Sequence, residues 1–258
     1  MWRFVADSVD GTSHRRQGVI CQDSHQVTSL RVDHGEFLIS ACSDGAGSAK
    51  ESHIGSKLAV EQVSRLVTEY LQAGHSFSHM TPEHVRSWLK DVRGELCREA
   101  ERRSLAPRDL ACTLLMAVVG PESSAFLQIG DGAIVVLKDG EYRPVFWPQS
   151  GEYQNETRFV TDTDAEQNGL TEVAARGFEE VAVLTDGLQM LALNYADKKG
   201  HQPFFAPIFK AVREADDQAE LAGPLRQFLE STPVNARTDD DKTLVLAVRC
   251  SSGGDNSL

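Results

Sequence analysis

Three aspartates in this chain share one local setting. Asp44-Gly45 closes the apolar run 37–42, Asp131-Gly132 closes the run 126–129, and Asp186-Gly187 closes the run 181–184. A further acidic group, Asp239-Asp240-Asp241, directly precedes the apolar run 244–248. Short apolar runs of this length read as buried strands, so these carboxylates stand on rigid strand ends. Carboxylates gathered there, with no Cys or His ligand spacing beside them, describe an all-oxygen site for a hard divalent cation such as Mg2+ or Mn2+. An isolated Asp-Gly pair is ordinary turn chemistry, and the chain carries one: Asp139-Gly140, between the runs 134–137 and 142–145, has the two-residue spacing of a hairpin. Asp139 is therefore read as structural. Asp23, which follows Val19 and Ile20 by a few residues, joins the candidates through the company of Asp44.

The elements that must hold these acids follow from periodicity. Residues 2–6 form a strand. Ile54, Leu58, Val63, Leu66, Val67, Tyr70 and Leu71 fall on one helical face that ends near Gly74. Thr81-Pro82 opens a second helix, with Val85, Trp88, Leu89, Val92 and Leu96 as its apolar face. The two make a helical hairpin lying on a sheet, with charged residues such as Arg98 to Arg103 turned to solvent. The runs 111–119, 124–129 and 133–137 read as an antiparallel meander. From 146 to 170 the periodicity fails, and the polar stretch is either a functional flap or an inert surface loop. Short helices are expected at 188–193, 203–212 and 221–229. Residues 1–250 read as one domain and 251–258 as a disordered tail.

The formal net charge of −12 argues against nucleic acid or an anionic membrane surface as partner. No apolar run approaches a membrane span, and the start of the chain has no leader-like pattern, so a cytoplasmic location is expected. Five cysteines without a Cys-x-x-Cys pair suit a reducing compartment. Cys97 and Arg103 stand six apart, as in a cysteine-dependent phosphatase loop, but the residues between them include no glycine and continue a helical pattern. Gly45-x-Gly47-Ser-x-Lys50 does not have the spacing of a nucleotide phosphate loop.

In order, Cys21-Gln-Asp23, Ser43-Asp-Gly-Ala-Gly-Ser48, Ala111-Cys-Thr113, Ile129-Gly-Asp-Gly132, Leu184-Thr-Asp-Gly187 and Asp240-Asp-Lys-Thr243 resemble the markers of the metal-dependent protein phosphatases of the 2C type, in particular the compact bacterial branch. The resemblance covers nearly the whole chain. It implies an α+β fold: a four-layer α/β/β/α sandwich of two antiparallel sheets flanked by helix pairs, with the metal centre at one end. It further implies that Asp44 bridges two Mn2+ or Mg2+ ions, that the Gly45 carbonyl binds one, and that Asp186 and Asp240 hold the other. Asp23 would act through bound water, and Asp131 would help to hold a third, weaker ion. The implied reaction is hydrolysis of phosphoserine or phosphothreonine on proteins by a metal-bridging water, opposing a Ser/Thr kinase; the alternative is a pseudophosphatase that binds a phosphoprotein without turnover. Two positions depart from the pattern: Gln22 stands where many relatives have Glu, and Ala46 where many eukaryotic ones have His. Arg15 and Arg16 lie further from Asp23 than the family's phosphate-gripping Arg; the resemblance implies His14, which has a counterpart in the compact bacterial branch, as the candidate phosphate ligand.

Overall fold

The computed structural model describes residues 1–149 and 157–250. Strands β1 (Trp2–Val9), β2 (Ser24–Val32), β3 (Gly35–Ser43), β4 (Leu114–Val119), β5 (Ser124–Ile129), β6 (Ala133–Lys138), β7 (Glu141–Pro144), β8 (Leu170–Ala174) and β9 (Glu180–Leu184) are followed by a two-residue ribbon, β10 (Leu193–Asn194) with β11 (Lys199–Gly200), and by β12 (Lys242–Arg249). Helices are α1 (Thr12–Gln17), α2 (Ser52–Gln72), α3 (Pro82–Arg102), α4 (Ala165–Asn168), α5 (Gln189–Ala192), α6 (Gln202–Glu214), α7 (Ala222–Leu229) and α8 (Thr232–Asn235). One five-stranded sheet has the order β1-β12-β9-β6-β7 and the other β2-β3-β4-β5-β8, with every neighbouring pair antiparallel.

Why the central strands read as unbroken apolar runs is now plain: both of their faces are covered. On β3, Phe37, Ile39 and Ala41 pack toward α2 and α3, while Leu38 and Cys42 pack between the sheets. The alternation repeats on β12, where Val245 and Ala247 face the sandwich interior and Leu244, Leu246 and Val248 pack with Phe205, Phe209, Leu225 and Leu229 of α6 and α7. Three apolar interfaces separate four layers, which is the expected α/β/β/α sandwich. The cap of α3 also follows the sequence, since the Thr81 hydroxyl accepts from the His84 N–H and Pro82 takes the first helical position.

The expected single meander over 111–137 is corrected. Strands β4 and β5 pair with each other, but β6 belongs to the opposite sheet, against β9. The crossing occurs at Gly130-Asp131-Gly132. Gly130 has a φ of +108°, and a side chain on Gly132 would meet the Leu184 carbonyl oxygen at 2.6 Å. Asp131 is carried from one sheet to the other by that turn. Strands β2 and β8 were not expected. Both are sheet edges whose residues are mostly half-buried, so neither shows a clean run or a clean alternation. The tail 251–258 and the centre of the polar stretch, 150–156, lie outside the described residues.

Candidate metal centre

The strand registers bring the acids together. Ser24 opposes Ser43, Leu114 opposes Ile129, and both Leu244 and Ala133 oppose Leu184. Asp23, Asp44, Asp131, Asp186 and Asp240 each lie within a few residues of those pairs, so all five crowd one end of the sandwich. Oxygens of Asp44, Asp131 and Asp186 lie within 4.8 Å of one another. Asp139 is at the opposite end of β6, where Lys138 pairs with Glu141; with φ of 53° at Asp139 and 79° at Gly140 it forms the expected hairpin turn.

Asp44 is fixed by its backbone. Its N–H donates to the Thr113 hydroxyl at 2.9 Å and its carbonyl accepts from the Thr113 N–H at 2.8 Å. Ala46 N–H donates to the Ala111 carbonyl at 2.9 Å, so Gly45 sits in a non-hydrogen-bonded position opposite Cys112 and its carbonyl points away from that strand. Gly45 must be glycine, because a side chain there would come within 2.8 Å of the Gln22 carbonyl oxygen.

Asp23 is buried, and its Oδ2 accepts from the hydroxyls of Thr185 at 2.7 Å and Thr243 at 2.8 Å. Asp131 Oδ2 accepts from the Thr157 hydroxyl at 2.8 Å, and Gln189 donates to the Asp131 carbonyl. Gln149 accepts from the Gly130 N–H at 2.8 Å. Both described ends of the polar stretch, Gln149 and Thr157, thus brace the turn that carries Asp131. Oδ1 of Asp23 and Oδ1 of Asp131 are buried without a hydrogen-bond partner.

Electrostatics give the same message. Burial, then the neighbouring carboxylates Asp23 and Asp186, push Asp44 well above the usual carboxylate range. Burial and then Asp131, Asp240 and Asp23 raise Asp186 to about 8. Burial raises Asp23 to about 7 against the opposing pull of the Thr185 hydroxyl, and raises Asp131 as well. Asp240 is exposed and acts on Asp44, Asp131 and Asp186 through its charge. Carboxylates that disfavour one another, with orphaned oxygens and an adjacent outward-facing carbonyl, fit a hard divalent cation.

Asp241 was missed by sequence reasoning. It is buried; Oδ1 accepts from Gly11 N–H at 2.6 Å and pairs with His14 Nδ1 at 2.8 Å, and Oδ2 accepts from Gln22 N–H at 2.6 Å. His14 is thereby held in α1, at the acidic end of the sandwich, by an aspartate adjacent to Asp240. His53 sits beside Glu51 at 3.7 Å on the first turn of α2.

The family model for protein phosphatase 2C matches residues 10–229. The chain is 39% identical over 251 residues to serine/threonine-protein phosphatase 3 of Escherichia coli (strain K12), an alignment that covers 96% of this chain and 98% of that one. Among solved structures, it resembles the catalytic domain of the serine/threonine protein phosphatase PstP in complex with two manganese ions: TM-score 0.61, 16% identity, covering 96% of this chain and 97% of the other. It also resembles the serine/threonine phosphatase Stp1 from Staphylococcus aureus, with TM-score 0.62, 13% identity, and 97% and 96% coverage. With a family model spanning most of its length and a relative 39% identical over nearly the whole of both chains, the chain belongs to the protein phosphatase 2C family.

Proposed function

We propose that the chain is a metal-dependent serine/threonine protein phosphatase whose Asp44, Gly45 carbonyl, Asp186 and Asp240 hold two Mn2+ or Mg2+ ions, with Asp23 behind them and Asp131 available to a third, weaker ion. The observation that carries this reading is the approach of Asp44, Asp131 and Asp186 oxygens to within 4.8 Å of one another. When bound, such a pair of ions acidifies a water and clamps the phosphoryl oxygens. The chain's own contribution is to fix the carboxylates on strand ends, to keep Asp23 accepting from two hydroxyls, and to hold the Asp131 turn with Gln149, Thr157 and Gln189. His14, oriented by Asp241, is the candidate contact for the phosphate. All five carboxylates are present, which favours turnover over a pseudophosphatase. Five free cysteines suit a reducing cytoplasm, where the substrates would be proteins phosphorylated by a Ser/Thr kinase. No helix among the described residues is long and apolar enough to cross a membrane.

Hydrolysis of an aryl phosphate and of phosphothreonine peptides, with Mn2+ and with chelator, tests the activity. Asp44→Ala and Asp186→Ala should abolish turnover in a folded protein. Asp131→Ala should keep two tight Mn2+ sites by calorimetry yet slow phosphopeptide hydrolysis. Near-normal turnover in folded Asp44→Ala or Asp186→Ala, or loss of a tight site in Asp131→Ala, would show that these carboxylates have been given the wrong roles.

A further inference from the structure

Behind Asp23, a row of hydrogen bonds leaves the acidic end and runs to the open edge of the sandwich. Asp23 Oδ2 accepts from Thr243 Oγ1 at 2.8 Å; Thr243 Oγ1 lies 2.6 Å from Ser8 Oγ; and Ser8 Oγ lies 2.8 Å from His25 Nδ1. Ser8 and Thr243 are direct partners on β1 and β12, whereas His25 belongs to β2 of the other sheet. The row therefore bridges the two sheets. It ends at a polar pocket of about 440 Å3 whose walls include Ser8, Asp23, His25 and Lys57.

Counting protons fixes the direction of the row. A hydroxyl has one hydrogen to donate. With Asp23 as the carboxylate, Thr243 spends its hydrogen on Oδ2. Its contact with Ser8 then requires the Ser8 hydrogen, and the contact of Ser8 with His25 requires a hydrogen on Nδ1. The row runs one way, from His25 to Asp23. Were the hydrogen on Nε2 alone, Nδ1 would take the Ser8 hydrogen, Ser8 would take that of Thr243, and Asp23 would lose one of its two donors.

We propose that Ser8 and His25 are positioning residues of the metal centre: the Nδ1–H of His25, relayed through Ser8, holds the Thr243 hydrogen on Asp23 Oδ2. That leaves Oδ1, which has no hydrogen-bond partner, as the oxygen available to a cation or its bound water. Neither residue belongs to the acidic cluster of Asp44, Asp131 and Asp186. The inference rests on the phosphatase reading for the identity of the cation, and on the row of contacts for everything else.

Mn2+ titration by calorimetry on the full chain tests it, alongside thermal melting of the metal-free protein. Outer partners of metal ligands typically change affinity by 10- to 100-fold, and these groups stand further out, so Ser8→Ala and His25→Leu should each weaken Mn2+ binding by roughly three- to tenfold. Ser8→Thr keeps the hydroxyl, and His25→Asn keeps an N–H donor where Nδ1 stood; both should return to within about twofold of the wild type. Saturating Mn2+ should restore most of the aryl phosphate turnover of His25→Leu. Wild-type affinity in both Ser8→Ala and His25→Leu would overturn the proposal. So would equal weakening in His25→Asn and His25→Leu, or lowered melting temperatures with unchanged isotherms. Because the isotherms do not depend on turnover, a wild type that binds Mn2+ but hydrolyses no phosphomonoester would remove the enzymatic reading and leave the positioning one standing.

Discussion

The two ends of the sandwich use the same dipeptide for opposite reasons. At the hairpin end, Gly140 has a φ of +79° and a side chain there would meet nothing; glycine is needed for its backbone angle alone. At the acidic end, the glycines after Asp44, Asp131 and Asp186 have no positive φ, yet added side chains would collide with the carbonyl oxygens of Gln22, Leu184 and Asp241 respectively. There glycine lets one strand end approach another closely enough for the carboxylates to meet. An Asp-Gly pair can thus mark a turn or a convergence, and crowding around the glycine separates the two.

Gly187→Ala should break this contrast most severely. The new methyl would be driven into the Asp241 backbone, whose side chain holds Gly11, His14 and Gln22. A loss of about 3 kcal/mol in chemical denaturation is expected, together with loss of Mn2+ binding. An alanine variant with wild-type stability would remove the crowding argument.

The acidic end should also be strained when it lacks metal, and pH reads that strain. Burial and its neighbours raise Asp186 to about 8 in the folded chain, against roughly 3.9 for an unfolded aspartate. The folded state therefore binds more protons between these values, and stability present below pH 4 is lost as the pH rises toward 8. The melting temperature of chelated protein should fall across that window. Asp186→Asn should melt higher than the wild type at pH 8 by about 3 °C, equivalent to about 1 kcal/mol in a chain of this size. A chelated wild type that melts higher at pH 8 than at pH 5 would contradict the shift.

The smallest effects belong to the hairpin. Asp139→Asn should leave turnover and stability at wild-type values, since Asn accepts the same turn geometry. Gly140→Ala should cost about 1 kcal/mol through backbone strain, with unchanged kcat for an aryl phosphate. A kinetic defect in either would mean that the two ends communicate.

Much of this was legible before folding. Central strands covered on both faces announce themselves as apolar runs, and the acid at the end of each run is visible beside its glycine. Edge strands β2 and β8 were not, because half-buried residues on a sheet margin need no regular pattern. Nor was the division of labour within Asp239-Asp240-Asp241. Three identical residue types carry no sequence signal that one is exposed beside the other candidate acids while the next is buried under the Gly11 and Gln22 amides. Thr185 and Thr243 stand inside motifs quoted for their acids, yet their hydroxyls matter only once β9 and β12 are paired.

The pairing of β1 with β12 has a consequence for how the molecule comes into being. Trp2 pairs with Arg249, and β1 reaches the rest of its sheet only through β12. During vectorial synthesis the opposite sheet, with α2 and α3, has all its strands by residue 174. The first strand must wait for the last, roughly 10 to 50 s at ordinary ribosomal rates. Asp240 emerges only just before β12. The acidic end therefore cannot be assembled until β12 has been made, long after the opposite sheet has all its strands.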